Sequence, residues 1–193
     1  MKKFLILILV LFSLTSCFNS TEEQKTTSLK KKFENTNFSI MVPKSWEIVK
    51  DTKNILPKPS NWEIVFYSIS NKKQDNFNRN LLVLSQNIEE KKLNSLDYII
   101  WNYIASKNDY FYLKELWYKN VLIDSKKTRI YKFEARYSED TPILKYLQTW
   151  IICDKKWYII TIALEKSNKN IDRYEGLLWS FSCSPHSVSP SKG

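Results

Sequence analysis

Between residues 37 and 164 apolar and polar positions alternate in short runs, and that period predicts strands. Phe38, Ile40 and Val42 occupy every second position before Pro43, and residues 46–49 resume the pattern. Pro57 and Pro59 mark a loop. Residues 62–67 and 81–88 read as strands, and the polar stretch 71–80 between them reads as a long, mobile connection. Residues 95–107 change period. Leu96, Ile99, Ile100, Tyr103 and Ile104 fall at i, i+3, i+4, i+7 and i+8, one stripe of a helix, with Ser95 as N-cap and Asp97 in the first turn. Four strands follow at 116–123, 129–137, 144–152 and 157–164. The last is apolar on both faces, which suits a central strand covered on both sides. A closing helix is predicted over 170–180, with Ile171, Tyr174, Leu178 and Phe181 on one face and Asn168 or Asn170 as cap. The expected order is β-β-β-β-α-β-β-β-β-α, an antiparallel β-sheet with segregated helices in an α+β layered domain.

The first seventeen residues follow a different pattern. Lys2 and Lys3 precede an unbroken apolar run from Phe4 to Phe12, and Leu14-Thr15-Ser16-Cys17 closes the segment. The run is too short to span a bilayer, which takes about 20 apolar residues. It resembles a bacterial lipoprotein signal peptide with its lipobox. The resemblance implies cleavage between Ser16 and Cys17, a diacylglyceryl group on the Cys17 sulfur, and acyl chains that hold the protein on a membrane. An ordinary cleaved signal and an uncleaved anchor are the alternatives. Phe18, where an aspartate would favour inner-membrane retention, leans the other way. The expected organisation is a signal at 1–16, a lipidated cysteine and flexible tether at 17–36, one domain at 37–183, and a disordered tail at 184–193.

Composition then narrows the chemistry. The net charge of +10 falls to +8 once Lys2 and Lys3 leave with the signal. Seven Trp and eleven Tyr furnish a sizeable core. The two glycines, Gly176 and Gly193, cannot write a phosphate-binding loop or a dinucleotide fingerprint. The single histidine, His186, lies in the Pro/Ser-rich tail and removes His-rich zinc sites and a Ser-His-Asp triad. No cofactor, metal or catalytic residue is expected.

The start of the domain, Phe38-x-Ile40-x-Val42-Pro43-x-x-Trp46, together with the central helix, the hairpin 146–164 and a closing helix ending in Ser180-Phe181, resembles the PsbP-like family. Its members include a photosystem extrinsic subunit and bacterial lipoproteins of the DcrB and LpqN types. The resemblance covers residues 37–183 and implies an α/β/α sandwich around an antiparallel sheet. It implies no shared active site and no photosynthetic role, because fold alone does not give function.

Four groups of residues remain as candidates. If residues 116–164 form a meander, Cys153 and Cys183 arrive at the same end of the sheet, where a disulfide and two separate thiols are both compatible. Trp46, Trp101, Trp117 and Trp150 could line an aromatic groove between helix and sheet, or fill the core. Lysine pairs such as Lys126-Lys127 and Lys155-Lys156 could face anionic lipid, or serve as solvated turns beside Asp124 and Asp154. The acid pairs Glu89-Glu90 and Glu139-Asp140 have no identifiable partner for acid–base work. The expectation is a monomeric, non-enzymatic lipoprotein of the bacterial cell envelope that faces outside the cytoplasm. It is attached to the membrane through Cys17 and binds an unidentified envelope protein or assists assembly. A carrier of a small apolar ligand is the alternative, and an enzyme of unknown reaction the third. The charge is dispersed, so nucleic acid is not an expected partner.

Overall fold

A computed structural model describes residues 29–50, 61–88, 96, 99, 100, 103 and 106–183. Cys17, Trp101, Glu89 and Glu90 lie outside the described residues, as do the tail and most of the expected tether.

Among the described residues ten strands form two antiparallel sheets. A small sheet has the order β1-β2-β10, from Lys30–Glu34, Phe38–Pro43 and Ser182–Cys183. The large sheet has the order β3-β4-β5-β9-β8-β7-β6. Its strands are β3 (Trp46–Ile48), β4 (Glu63–Gln74), β5 (Phe77–Asn87), β6 (Tyr112–Ile123), β7 (Lys126–Arg136), β8 (Leu144–Cys153) and β9 (Lys156–Glu165). The meander runs β6-β7-β8-β9 and delivers β9 to the centre, against β5. Of the ten residues of β9, eight are buried, in keeping with its apolar pattern on both faces.

Successive side chains on a strand point to opposite faces, so one sheet builds two cores. On β9, Tyr158, Ile160, Ile162 and Leu164 join Phe38, Ile40 and Val42 of β2 and Leu177, Leu178 and Phe181 near the C-terminus. Trp157 and Ala163 pack on the other face with Tyr131, Phe133, Tyr146 and Trp150 of the meander. There Leu96, Ile99, Ile100, Tyr103 and Ser106 are helical, and Ile99 and Tyr103 are buried in this second core. The Tyr103 ring stacks on Tyr131 with centroids 3.5 Å apart.

Three sequence expectations are corrected. Residues 71–80 are not a mobile connection. β4 and β5 extend through them and meet at Asp75-Asn76, both at positive φ (52° and 59°). Positive φ at both central residues is what a two-residue hairpin turn of type I′ requires, and Asp and Asn tolerate it better than most side chains. The tether does not extend to residue 36, because Lys30–Glu34 is β1. Lys32 and Glu34 are exposed, Lys30 and Lys31 are half-buried, and the half-buried Phe33 packs on Phe66 with centroids 4.5 Å apart, so one ring and the ladder to β2 hold the strand. The closing helix is shorter than predicted. It is a 3-10 turn at Ile171–Tyr174 followed by an α-helix at Glu175–Leu178, although Ile171, Tyr174, Leu178 and Phe181 are all buried. Asn170 makes no side-chain cap; the Asn168 side chain accepts from the Asn170 N–H at 2.9 Å instead.

Candidate functional site

The two edges of the large sheet differ in length. β3 is a three-residue edge, whereas β6 offers a twelve-residue one. Among the described residues β6 is hydrogen-bonded to β7 alone, and no described strand pairs with its outer row of backbone groups. Long open edges are templates for further strands and are usually blunted.

A bulge sets which side chains flank this edge. Glu115 pairs with Phe133 and Trp117 with Lys132, so Leu116 is the extra residue. Before it, Leu113 packs in the core beneath the helical residues. After it, Trp117 and Val121 pack in the opposite core. The bulge therefore reverses the faces of β6, and residues 117–123 form a regular run beyond it.

On the helix-side face of that run stand Tyr118, Asn120 and Leu122, with Tyr118 51% and Leu122 65% exposed. Arg129 of β7 lies over the Tyr118 ring at 4.2 Å and donates from Nε to the Asn120 side-chain oxygen at 2.8 Å. On the other face Lys119 lies over Trp117 at 5.3 Å and over the half-exposed Trp179 at 4.8 Å, and it is ion-paired with Glu175. Lys132 pairs with Asp172 at 2.9 Å. At the start of β6, Arg136 lies over the exposed Phe111 ring at 4.9 Å and donates to the Glu139 carbonyl oxygen. Among the described residues Arg129 and Arg136 are not paired with a carboxylate. Burial pushes the Tyr131 phenol up, partly offset by a hydrogen bond from Arg129. The surface is thus a ridge of exposed aromatic and aliphatic side chains interleaved with guanidinium groups, the composition of energetic centres in protein interfaces.

A second feature is a cleft of about 240 Å³ between the helical residues and the sheet. It is lined by Leu96, Ile99, Thr128, Trp150, Ile151 and Ile152, with Lys126 and Lys127 at its wall. It is open and smaller than the roughly 300–1,000 Å³ of most small-molecule sites.

The three described candidate tryptophans do not share a groove. Trp46 and Trp117 pack in the core beneath the small sheet, Trp150 is buried in the opposite core, and Trp101 lies outside the described residues. Of the three described, Trp150 alone lines the cleft. Strand alternation places Trp150 opposite to Trp46, and the bulge at Leu116 takes Trp117 away from Trp150 as well. Arg129, Trp179 and Leu122 had no sequence signal of their own. Their juxtaposition depends on the bulge and on where the closing helix docks.

Cys153 and Cys183 are joined by a disulfide, with Cα atoms 5.7 Å apart. Asp124, in the β6–β7 turn, accepts from the Cys183 N–H at 3.1 Å and from the Ser182 hydroxyl at 2.9 Å. Burial works to raise the Asp124 carboxyl, but these hydrogen bonds and Lys126 outweigh it and hold it below its usual range. Among the described residues no group of three or more His, Cys, Asp or Glu could hold a metal ion, and no helix is long and apolar enough to cross a membrane.

No family model matches the chain, and no curated protein matches it. Solved structures do. The chain is similar to the cyanobacterial PsbP protein CyanoP of Synechocystis sp. PCC 6803, with a TM-score of 0.56 and 13% identity over 89% of this chain and 99% of that one. It is also similar to the Ran-binding protein Mog1p of Saccharomyces cerevisiae, with a TM-score of 0.53 and 8% identity over 82% and 97% of the two chains. LpqN of Mycobacterium tuberculosis, involved in cell envelope biogenesis, aligns at a TM-score of 0.46 and 10% identity over 81% and 91%. The first two likenesses define the class: a PsbP-like fold, built mostly of antiparallel sheet. At these identities they speak for the fold alone.

Proposed function

We propose that the chain is a lipoprotein of the bacterial cell envelope, anchored through lipid on Cys17 and facing outside the cytoplasm. Its domain binds a protein partner without catalysing a reaction. The observation that carries this reading is the exposed ridge along β6, where Tyr118, Leu122 and Trp179 stand beside Arg129 and Lys119 on an open sheet edge. The lipobox-like segment ending at Cys17 supports the anchor, and the bond between Cys153 and Cys183 suits an oxidising compartment. The finer architecture that fits this reading is the helix-flanked sandwich of the family, one helix over each face of the large sheet. Cross-linking in intact cells, followed by purification of the full chain from membranes, tests the proposal. The expected product is a specific protein adduct; recovery of lipid alone contradicts it.

The cleft beside Trp150 favours a second reading, a carrier of a small apolar ligand. Its small volume and open form make it the weaker of the two.

A further inference from the structure

Resting on that partner-binding reading, we infer that residues 117–123 of β6 are a strand-addition site for an acidic extended segment of a partner protein. Adding a strand satisfies the outer backbone groups of β6, and the flanking side chains select what is added. The bulge at Leu116 leaves these seven residues in regular register with β7. At about 3.3 Å per residue they offer an edge of roughly 20 Å. Side chains of an added strand alternate between the faces. On one face they meet Tyr118, Leu122 and Arg129; on the other they meet Lys119 and Trp179.

Charge selects among occupants. Lys119 already has Glu175, whereas Arg129 is held over Tyr118 with neutral hydrogen-bond partners, the Asn120 side-chain oxygen and the Tyr131 phenol. A guanidinium fixed in this way is a ready partner for a carboxylate, which it can bind through two parallel hydrogen bonds. A second copy of the chain would bring a second Arg129 and a net charge of the same sign. A lipid surface would leave the edge N–H and C=O groups unmet, since hydrocarbon offers them no partner. An extended segment with Glu or Asp at alternate positions answers both the backbone and the cation.

The test uses the full chain, purified in detergent, and a labelled peptide of about ten residues, a typical upper strand length, alternating Val and Glu. A Val/Lys peptide of equal length is the control. Binding is read by fluorescence anisotropy and located by amide hydrogen exchange. The Glu peptide is expected to bind saturably and slow exchange in residues 117–123, and Arg129→Gln to weaken it about tenfold. Higher salt also weakens it. Equal binding of the Lys peptide, unchanged affinity in Arg129→Gln, or protection confined to another strand overturns the inference. Slow exchange of the outward amides of 117–123, those not bonded to β7, before any peptide is added also overturns it, since a second copy or another segment of the chain would then occupy the edge. A protein adduct that forms in cells and survives Arg129→Gln would leave the partner reading intact while the strand-addition site falls.

Discussion

Arg79 and Glu165, 86 residues apart in sequence, are joined by two hydrogen bonds from the guanidinium, Nε to Oε2 at 2.8 Å and Nη2 to Oε1 at 2.6 Å. Nη1 of Arg79 also donates to the Tyr174 hydroxyl at 2.8 Å, and Asn168 donates to Glu165. One arginine thus ties the β4–β5 hairpin to the end of β9 and to the closing 3-10 turn. Glu165 is 1% exposed, so removing its partner strands a buried charge. Arg79→Ala is expected to cost about 3–5 kcal/mol in urea unfolding. Glu165→Gln, which removes the charge itself, is expected to cost less. Equal, small effects would show that the pair is not a structural tie.

The same network predicts an acid response. Burial alone would raise the Glu165 carboxyl, but hydrogen bonds from Arg79 and Asn168, together with the Arg79 charge, outweigh it and hold it below the ordinary glutamate value of 4.5. Asp124 is likewise held below the ordinary aspartate value of 3.8. A carboxyl depressed by folding contributes stability that is complete above its unfolded value and is lost as pH falls through the folded one. The unfolding free energy is therefore expected to hold between pH 7 and 5 as far as these groups are concerned, and to drop below about pH 4.5. Glu165→Gln should remove part of that drop. An acid limb of unchanged slope in the variant would exclude Glu165 as a source.

The Cys153–Cys183 bond closes a loop of 30 residues in sequence separation. In the chain-entropy model this is worth about 3–4 kcal/mol. Thiol counting on unfolded, unreduced protein is expected to find neither cysteine free, and Cys153→Ser to lower stability by roughly that amount. Because Asp124 still holds the Cys183 N–H, the variant should retain the fold at low temperature. Two free thiols in protein recovered from the envelope would overturn the assignment.

The β4–β5 turn can be tested by backbone chemistry alone. Asn76 sits at φ 59°, where a β-branched residue is strained and glycine is not. Asn76→Val is expected to destabilise by about 1–2 kcal/mol, and Asn76→Gly to be neutral or slightly stabilising. Equal effects of the two would mean that the turn does not require a left-handed residue.

Much of the large sheet was legible because its strands carry their burial in their spelling. Residues 157–164 are apolar on both faces and form the central β9, and the turn residues at 124 and 154 mark the meander. The failures have physical causes. β1 and the outer half of the β4–β5 hairpin each carry a single apolar residue, Phe33 and Phe77, so hydrophobic periodicity had almost nothing to register. Ser182–Cys183 is only two residues long and is defined by its partners, Ser39 and Phe38 of β2. The candidate surface was the least legible part. Trp117 and Trp150 look equivalent in sequence, yet one extra residue at Leu116 sends Trp117 to the other face. Arg129 stands over Tyr118 only because the β6–β7 register places Asn120 opposite it.

The proposed attachment to the membrane rests on Cys17, which lies outside the described residues. Cys17→Ala is expected to leave the precursor uncut and unlipidated, which metabolic labelling with a palmitate analogue and gel mobility will show. Normal processing and membrane retention in that variant would remove the lipid anchor from the account.

The central claim is that the β6 edge is where the domain meets its partner. A photoreactive residue placed at Tyr118 of the full-length chain in living cells tests it most directly, with a matched probe at Lys73, an exposed position on β4. The prediction is a discrete protein adduct from position 118, reduced by Arg129→Gln and absent from position 73. Identical adducts from both positions, or labelling of lipid alone from position 118, would contradict it.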